Sequence, residues 1–400
     1  MNVVGIVSEY NPFHYGHEYH IKKTRQLMGG ECEIVCVMSG DFVQRGEPAV
    51  YSKFARAEAA VRCGADLVLE LPLPWSLLSA EGFARGAVSI LDALGVVTHL
   101  SFGSECGETK PLEQLAELLL DPLFGAAIKD ELAANEGISF AAARQRAVEK
   151  KVGELAAQLE MPNNILAVEY IKSIYDLDSN IKPLTVSRFG AAHDAVGDTG
   201  PRSAAELRTK LAHGLDISGF IPPEASAVYE VERSLGRGPI FAESLEQAIM
   251  SRLRLLDADG FSAIPDAGEG LSNRLARAVR EESGLDAIAA AAKSKRYALS
   301  RIRRMMMCAA LGITDELART APPYARVLAA NSAGCSIIKA ANEAGRIPVL
   351  TKPAAVRELD DAALRIFELG AAAHDMYVLG CPAKEERRGA GDWRTSPKIV

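Results

Sequence analysis

Several features are missing from this sequence of 400 residues, and each absence excludes a class of protein. No run of about 18 apolar residues occurs, so no membrane span is predicted. The first residues, MNVVGIVSEYNPF, have neither the basic stretch nor the long apolar stretch of a signal peptide. The seven cysteines include no CxxC pair, which argues against a disulfide framework and a cysteine-based zinc site. We therefore expect a cytoplasmic protein.

An excess of positive charge is also missing, because the formal net charge is −7. This excludes a uniformly basic nucleic-acid-binding protein, although a local basic patch remains compatible with it. Hydrophobic residues make up 48% of the chain and charged residues 24%, which is the balance of an ordinary globular protein. A chain of this length favours about two to three domains.

Short apolar runs alternate with amphipathic segments in the first half of the chain. The runs predict strands at 3–7, 33–38, 67–71, 98–102 and 181–189, and helices lie at 17–28, 51–63, 79–94 and 204–213. Alternation of this kind indicates βαβ units, that is, an α/β fold with a parallel sheet between two layers of helices. A helical insertion is predicted at about 110–176.

The second half differs in composition: it is rich in Ala, Leu and Arg and shows helical periodicity. Almost no strand signal occurs there apart from 348–350. We therefore predict an α/β domain at 1–215 and a helical domain at 216–400. The polar residues at 382–400, which include Gly and Pro, are predicted to form a loose tail.

Two histidines follow the first predicted strand, where a helix is expected to open at His17. Ligands of open parallel sheets bind outside the carboxyl ends of the strands, so this loop is a candidate site. The helix N-terminus favours an anion. The imidazoles of His14 and His17 suit a polyphosphate whose negative charge grows as a P–O bond breaks. Gly16 leaves room for a ligand to approach the backbone.

Other phosphate-binding motifs are missing from the chain, and a metal-binding motif is incomplete. Neither GxxxxGK[ST] nor GxGxxG occurs in the chain. A metal site at His14, His17 and His20 is an alternative, but no HExxH motif or cysteine partner completes a tetrahedral set. We predict no bound metal ligated by the protein.

The segment His14-Tyr15-Gly16-His17 resembles the HxGH signature of nucleotidyl transferases related to class I aminoacyl-tRNA synthetases. Longer blocks narrow this resemblance to the bacterial tRNA(Met) cytidine acetate ligase family. They run in order from residue 1 to about residue 310 and include EYNPFHYGHEYH, VMSGDFVQRGEPAVYSKFARAEAA, GADLVLELP, SFGSE, PNNILAVEYIKSI and KSKRYALSRIRRMM.

The resemblance implies a fold, a reaction and partners. A Rossmann-like, HIGH-type domain at 1–215 would bind ATP, with Mg²⁺ accompanying the nucleotide, and the helical domain would bind tRNA. ATP would activate acetate as acetyl-adenylate and release pyrophosphate. The acetyl group would then pass to N4 of the wobble cytidine of elongator tRNA(Met), releasing AMP.

The resemblance also implies residue roles. His14 and His17 would lie at the phosphates, and ATP would also contact Gly103, Asn163 (or its neighbour Asn164) and Arg188. The remaining contacts would come from one continuous segment: Val7, Ser8, Glu9, Tyr10, Asn11, Pro12, Phe13, His14, Tyr15, Gly16, His17, Glu18, Tyr19 and His20.

The loop after the second predicted strand carries further candidates. Asp41, a predicted catalytic residue, could position acetate, a magnesium ion or the cytidine amine. Arg45 could counter the acetate carboxylate or a phosphate. Lys53 and Arg56, on the following helix, are candidates for the same pocket or for RNA phosphate. The sequence leaves these alternatives open.

One segment departs from the wider superfamily, whose phosphate loop often reads ISSTxIR. The aligned residues run from Ser203 to Arg208, and both of these match, but Ala205 stands where a hydroxyl is usual and Glu206 adds an anion. We expect Ser203 to cap a helix. The hold of this segment on the β- and γ-phosphates is in doubt.

A basic stripe occupies residues 293–304, which hold six cations and no acid. Such a stripe binds phosphates by charge and counterion release. Tyr297 lies within it and could stack on an unpaired base. A solvated helix face is the alternative reading. The predicted tRNA-binding residues are Lys295, Arg296, Arg301, Arg303 and Arg304.

Two other functions compete with the ligase. A small-molecule adenylyl or nucleotidyl transferase would use the same sheet domain, but would leave the helical half and its basic stripe without a purpose. A nucleotide-binding regulatory protein without catalysis is supported by the altered segment at 203–208.

Overall fold

The computed structural model describes residues 2–135, 137–187, 203–268 and 270–400. Eight of the strands in these ranges form one sheet: β1 (Val3–Ser8), β2 (Glu33–Ser39), β5 (Leu67–Leu71), β6 (Val97–Ser104), β7 (Lys182–Ser187), β8 (Ala325–Ala330), β9 (Val349–Leu350) and β10 (Lys398–Ile399). The short strands β3 (Phe42–Val43) and β4 (Glu47–Pro48) form a separate antiparallel pair.

The helices of the first half are α1 (Tyr15–Leu27), α2 (Lys53–Arg62), α3 (Ala80–Ala93), α4 (Thr109–Leu120), α5 (Pro122–Ala134), α6 (Phe140–Val152), α7 (Pro162–Asp176) and α8 (Ala204–Ala212). Those that follow are α9 (Pro223–Ser234), α10 (Ala242–Leu255), α11 (Ala258–Ser262), α12 (Leu271–Glu281), α13 (Leu285–Ala292), α14 (Leu299–Leu311), α15 (Asp315–Ala318), α16 (Ser332–Ala344), α17 (Asp361–Val378) and α18 (Gly391–Arg394). Among the described residues, no helix has the length and apolar character needed to cross a membrane.

Alternate residues of the central strands pack into two different hydrophobic cores. Val35 and Val37 of β2 belong to one hydrophobic cluster, whereas Ile34 and Cys36 belong to another. Side chains alternate between the two faces of a strand, so both faces of this sheet are covered. A third cluster, around α14, forms the core of the helical half.

The strand order is β10-β8-β5-β2-β1-β6-β7, with β9 beside β8. From β1 the chain proceeds to β2 and β5 on one side, and later to β6 and β7 on the other. The order therefore reverses between β1 and β6, which pair in parallel. Open α/β sheets bind their ligands at such a switch point, outside the carboxyl ends of the strands. The α/β class and the Rossmann-like parallel sheet are confirmed.

The prediction that 216–400 is helical with almost no strand is wrong in one important respect. Strand β8 lies within the main sheet, antiparallel to β5 and parallel to β10. Its sequence ARVLAA is a short, wholly buried apolar run, which periodicity does not distinguish from a buried helix turn. The sheet thus draws strands from both sides of the predicted boundary at 215.

The prediction of a loose tail at 382–400 is also wrong. Strand β10 pairs with β8, and the Val400 N–H donates to the carbonyl of Ala330 at 3.0 Å. The Asp392 side chain is fully buried. Polar composition misled the prediction because it gave no sign that buried cations elsewhere in the chain bind this carboxylate.

Candidate active site

The two histidines of the first loop build the start of α1. His14, rather than Ser or Asp, is the N-cap: its Nδ1 accepts from the Gly16 N–H at 3.0 Å. The Nδ1 of His17 accepts in turn from the His14 N–H at 3.2 Å, which completes a capping box. The helix therefore begins at Tyr15, and not at His17 as predicted. The reason is that two imidazoles satisfy N–H groups that a helix start leaves unpaired.

The two rings stack, with centroids 3.8 Å apart and planes 26° from parallel. A neutral imidazole that accepts at Nδ1 carries its proton on Nε2, so each ring is a hydrogen-bond donor at its other nitrogen. Both rings sit at the positive end of the α1 dipole. This arrangement suits a phosphate chain at the carboxyl end of β1.

Most side chains between these histidines and β1 support the loop from within. Tyr10 is buried, and its hydroxyl lies 3.2 Å from the Cys36 Sγ. Burial raises the pKa of Tyr10 well above 10.0. The Asn11 Oδ1 accepts from the Val50 N–H at 2.8 Å. The buried Phe13 donates its N–H to the Tyr229 hydroxyl at 3.0 Å.

The other predicted residues of this segment differ in their exposure. The His20 Nε2 lies 2.9 Å from the Ser101 Oγ, which ties α1 to β6. Pro12 is buried and Tyr15 is exposed. The remaining predicted residues are partly buried: Val7, Ser8, Glu9, Gly16, Glu18 and Tyr19.

The opposite wall of the switch point comes from β6 and α7. Gly103 lies in β6, in register with Val186 of β7. Glu105, which follows β6, accepts from the Asn164 N–H at 2.9 Å and from both the N–H and the Nδ2 of Asn163. A carboxylate at the start of α7 is favoured by the helix dipole. Sequence reasoning missed Glu105, although it lies within the SFGSE block.

The structure separates the two asparagines. Asn164 is fully buried, and its side chain binds the loop: Oδ1 accepts from the Glu105 N–H at 2.9 Å, and Nδ2 donates to Gln158 at 2.8 Å. Asn163 is partly exposed. Asn164 is thus a buried support of this loop, and a contact of Asn163 with the nucleotide stays a prediction. The predicted ligand Arg188 lies outside the described residues.

The segment that departs from the superfamily forms the predicted helix, α8. The Ser203 Oγ accepts from the Glu206 N–H at 3.2 Å, so the expected cap is confirmed. Arg208 donates to the carbonyl of Asn11 at 2.9 Å and pairs with Glu47 at 3.2 Å. Arg208 thus joins the loop after β1 to the loop after β2.

Asp41 belongs to a buried cluster of six charged or titratable side chains at the carboxyl ends of β2 and β5 and the amino end of the antiparallel strand β8. Its Oδ1 accepts from the Lys53 N–H, and its Oδ2 lies 2.8 Å from the His374 Nδ1. The Lys53 Nζ binds Glu70 at 2.7 Å and Asp392 at 2.6 Å. We call these six residues the "buried charge cluster": Asp41, Lys53, Glu70, Arg326, His374 and Asp392.

Opposite charges stabilise the ionised forms within this cluster. Burial raises the pKa of Asp41, but the charges of His374, Lys53 and Arg56 outweigh it and leave the pKa well below 3.8. Burial lowers the pKa of His374, and Asp41 more than reverses this, so its pKa lies above 6.5. Both carboxylate oxygens of Asp41 are thus engaged by the protein itself.

Lys53 and Arg56 are not available to a ligand or to RNA phosphate, because both side chains are buried. Arg56 donates to the carbonyls of Glu9, Gly40 and Tyr51, and so fixes the loops after β1 and β2 together. This burial argues against a direct contact of either side chain with a ligand in the same pocket or with RNA phosphate. In the described part of the chain, no group of three or more His, Cys, Asp and Glu side chains could hold a metal ion.

The basic stripe is partly engaged inside the helical half. Tyr297 is only 7% exposed, so the prediction that it stacks on a base is wrong. Its ring faces the Arg301 guanidinium, whose Nη2 also donates to the carbonyl of Asp266 at 2.9 Å. Arg304 pairs with Asp266 at 3.6 Å.

The remaining cations of the stripe lie nearer to solvent. Arg303 pairs with the exposed Asp286 at 3.2 Å, Lys295 is exposed and Arg296 is partly exposed. Within α14, the Arg303 side chain is more exposed than that of Arg304, as expected for a helix with one core face.

A Rossmann-like sheet whose first helix opens on HxGH at the switch point defines a nucleotidyl transferase. The family model described as HIGH Nucleotidyl Transferase matches residues 1–392. Curated relatives named tRNA(Met) cytidine acetate ligase include that of Syntrophomonas wolfei, 37% identical with 99% of each chain covered, and that of Acetivibrio thermocellus, 34% identical with 100% of each covered. The chain belongs to this ligase family within the HIGH nucleotidyl transferases.

Solved structures agree with this assignment. A crystal structure of Thermotoga maritima TmcAL bound with alpha-thio ATP is 34% identical, with a TM-score of 0.93 and 100% of both chains covered. An apo form of the same protein gives a TM-score of 0.94.

Proposed function

We propose that this protein is an ATP-dependent ligase that activates acetate as acetyl-adenylate and acetylates N4 of the wobble cytidine in elongator tRNA(Met). The observation that carries the proposal is the pair of stacked imidazoles that caps α1 at the β1–β6 switch point. Membership of the ligase family and the ATP analogue in the Thermotoga maritima relative support it.

In the first step, an acetate oxygen attacks the α-phosphorus of ATP, and the bond from this phosphorus to the bridging oxygen breaks. Pyrophosphate leaves with the electrons of that bond. His14, His17 and the α1 N-terminus stabilise the growing negative charge, as preorganised donors do in a site that excludes water. Asn163, which Glu105 holds, is the proposed contact for the nucleotide from the other wall.

In the second step, N4 of the cytidine attacks the acetyl carbonyl carbon. The bond from this carbon to the adenylate oxygen breaks, AMP leaves, and N4 loses one proton. Because N4 is engaged when cytosine is paired, the reacting base must be single-stranded or extruded. The exposed cations of the basic stripe, Lys295, Arg296 and Arg303, are the proposed contacts for the tRNA backbone.

Asp41 is proposed as a positioning residue. It engages Lys53 and His374, and in this way fixes the loop after β2 beside the nucleotide site. The described side chains provide no metal-binding cluster, so they do not fit a magnesium site of their own, and no step is assigned to Mg²⁺. A cytoplasmic location remains a prediction.

The experiment is a pyrophosphate-release assay with ATP, acetate and purified tRNA. Release over many turnovers that needs both acetate and tRNA(Met), with N4-acetylcytidine in the recovered tRNA, is the expected result. Release over many turnovers with a small acceptor and without tRNA would favour the small-molecule adenylyl transferase instead. An absence of release with every acceptor would favour a regulatory nucleotide-binding protein.

A further inference from the structure

Three consecutive residues of the loop after β2 connect the nucleotide site with the helical half. At one end, the Gln44 N–H donates to the Glu9 Oε1 at 2.9 Å, directly after β1. At the other end, Gly46 packs against the backbone of α14. A Cβ on Gly46 would lie 2.5 Å from the Arg303 carbonyl carbon and 2.5 Å from the Arg304 nitrogen. This loop and the basic helix therefore form one contact.

Gly46 is required by this contact for two reasons. Its φ is +78°, in the left-handed region that side chains with a Cβ adopt at a cost. The atoms that a Cβ would meet belong to the backbone of α14, which cannot rotate away as a flexible side chain can. Any substitution must therefore move the loop or the helix.

Arg45 lies between these two anchors and is exposed. Its chain neighbour Gln44 is bound to Glu9, so Arg45 lies beside the end of β1. Burial raises the pKa of Glu9, while the Gln44 N–H and the charge of Arg45 act to lower it. No hydrogen bond or salt bridge holds the Arg45 side chain to any other residue that the structure describes.

A second cation continues this surface on α14. The Arg303 side chain is 42% exposed, and its partner Asp286 is 88% exposed. Ion pairs this exposed contribute little and are readily exchanged for another anion. Arg45 and Arg303, joined through Gly46, thus form a cationic strip that leads from the basic helix to the carboxyl end of β1.

We propose that this Arg45–Arg303 strip binds the phosphate backbone of the acceptor RNA beside the reacting cytidine, and that Arg45 does not bind acetate. The inference rests on the proposed function and assigns one loop residue to the tRNA side of that site. An exposed guanidinium next to the Glu9 carboxylate offers a small carboxylate no enclosed pocket. A nucleic-acid strand gains from contacts with both cations and from the release of its counterions.

The test compares two measurements on Arg45→Ala: the Kd for tRNA by direct binding, and the KM for acetate at saturating tRNA. We expect the tRNA Kd to rise by about three- to tenfold, and the slope of log affinity against log salt to fall by about one. The acetate KM should not change. Arg45→Lys, which keeps the charge, should restore most of the affinity.

Two further variants make the outcome decisive. Gly46→Ala should also raise the tRNA Kd, because it moves Arg45 relative to α14. Arg62→Ala, on an exposed arginine paired with Glu58, is the matched control and should leave both quantities unchanged. A raised acetate KM with an unchanged tRNA Kd in Arg45→Ala would overturn the inference. Wild-type protein that releases no pyrophosphate would instead refute the proposed function, whatever the binding results.

Discussion

Two polar groups of residues lie at the carboxyl edge of the same sheet, and they use their hydrogen-bonding capacity differently. In the buried charge cluster, beside β2, β5 and β8, each charged group is bound by another side chain. At the β1–β6 switch point, the Nδ1 atoms of His14 and His17 accept instead from main-chain N–H groups at the start of α1. The first group is suited to holding the protein together, and the second to meeting a ligand. Proximity to the strand ends alone does not make a residue catalytic.

Removal of one charge from the buried cluster should have the largest effect on stability. The Asp392 Oδ2 lies 2.6 Å from the Lys53 Nζ and 2.8 Å from the Arg326 Nη1. Asp392→Ala removes this shared carboxylate from both cations. Breaking a buried pair in this way costs about 3–5 kcal/mol. The free energy of unfolding should fall by that amount in a denaturant titration, and Glu385→Ala, an exposed carboxylate in the same segment, should show no such loss.

The next largest effect should fall on activity without a loss of stability. His14→Asn and His17→Gln replace the imidazoles with residues that can still form a capping box. We expect pyrophosphate release to slow by about 100- to 1000-fold, the usual effect of removing one preorganised donor. The unfolding midpoint should stay near that of the wild type. Near-normal turnover in both variants would show that the imidazoles do not contribute to catalysis.

A smaller effect is expected at the opposite wall. Glu105→Gln replaces the carboxylate that holds the start of α7 and Asn163, and charged hydrogen bonds are worth about 1.5–3 kcal/mol. The KM for ATP should rise by about tenfold with little change in kcat, because the contact holds the nucleotide in both ground and transition states. Glu108→Gln, an exposed neighbour, is the control. An unchanged KM for ATP would show that Glu105 only caps α7.

The smallest effect is a pH dependence that belongs to the buried cluster alone. His374 faces Asp41, Asp392 and Lys53, and its pKa lies above 6.5 in the folded protein. Its contribution to stability is therefore complete below pH 6.5 and is lost as the pH rises through the raised pKa. The difference in unfolding free energy between wild type and His374→Gln should shrink from pH 6 toward alkaline pH. A constant difference would mean that His374 is neutral in the folded state.

Local chemistry allowed part of the site to be predicted from the sequence. The HxGH loop, the helix that follows it and the cap at Ser203 depend on residues close together in the chain, and each could be inferred from neighbouring side chains. The buried charge cluster could not, because Lys53 and Asp392 are paired across 339 positions of sequence. No periodicity or motif links residues that far apart.

Two other errors have equally physical origins. Strand β8 was not predicted because its sequence, ARVLAA, is short and rich in alanine, which carries no strand preference of its own. The burial of Tyr297 was not predicted because a run of cations in the sequence does not show which of its residues pack against the core. The contacts of Asn163 and Asn164 with Glu105 were likewise not predicted, because Glu105 follows β6 and lies 58 or more positions earlier in the chain.

The position of β8 between β5 and β10 also determines how this protein can be divided. A fragment limited to residues 1–215 would expose the unpaired edge of β5, whose residues Leu67–Leu71 are all buried in the intact fold. Bare apolar edges recruit further strands, so such a fragment should precipitate by edge-to-edge association. A chimera that exchanges the nucleotide-binding half between relatives would therefore also have to include residues 325–330.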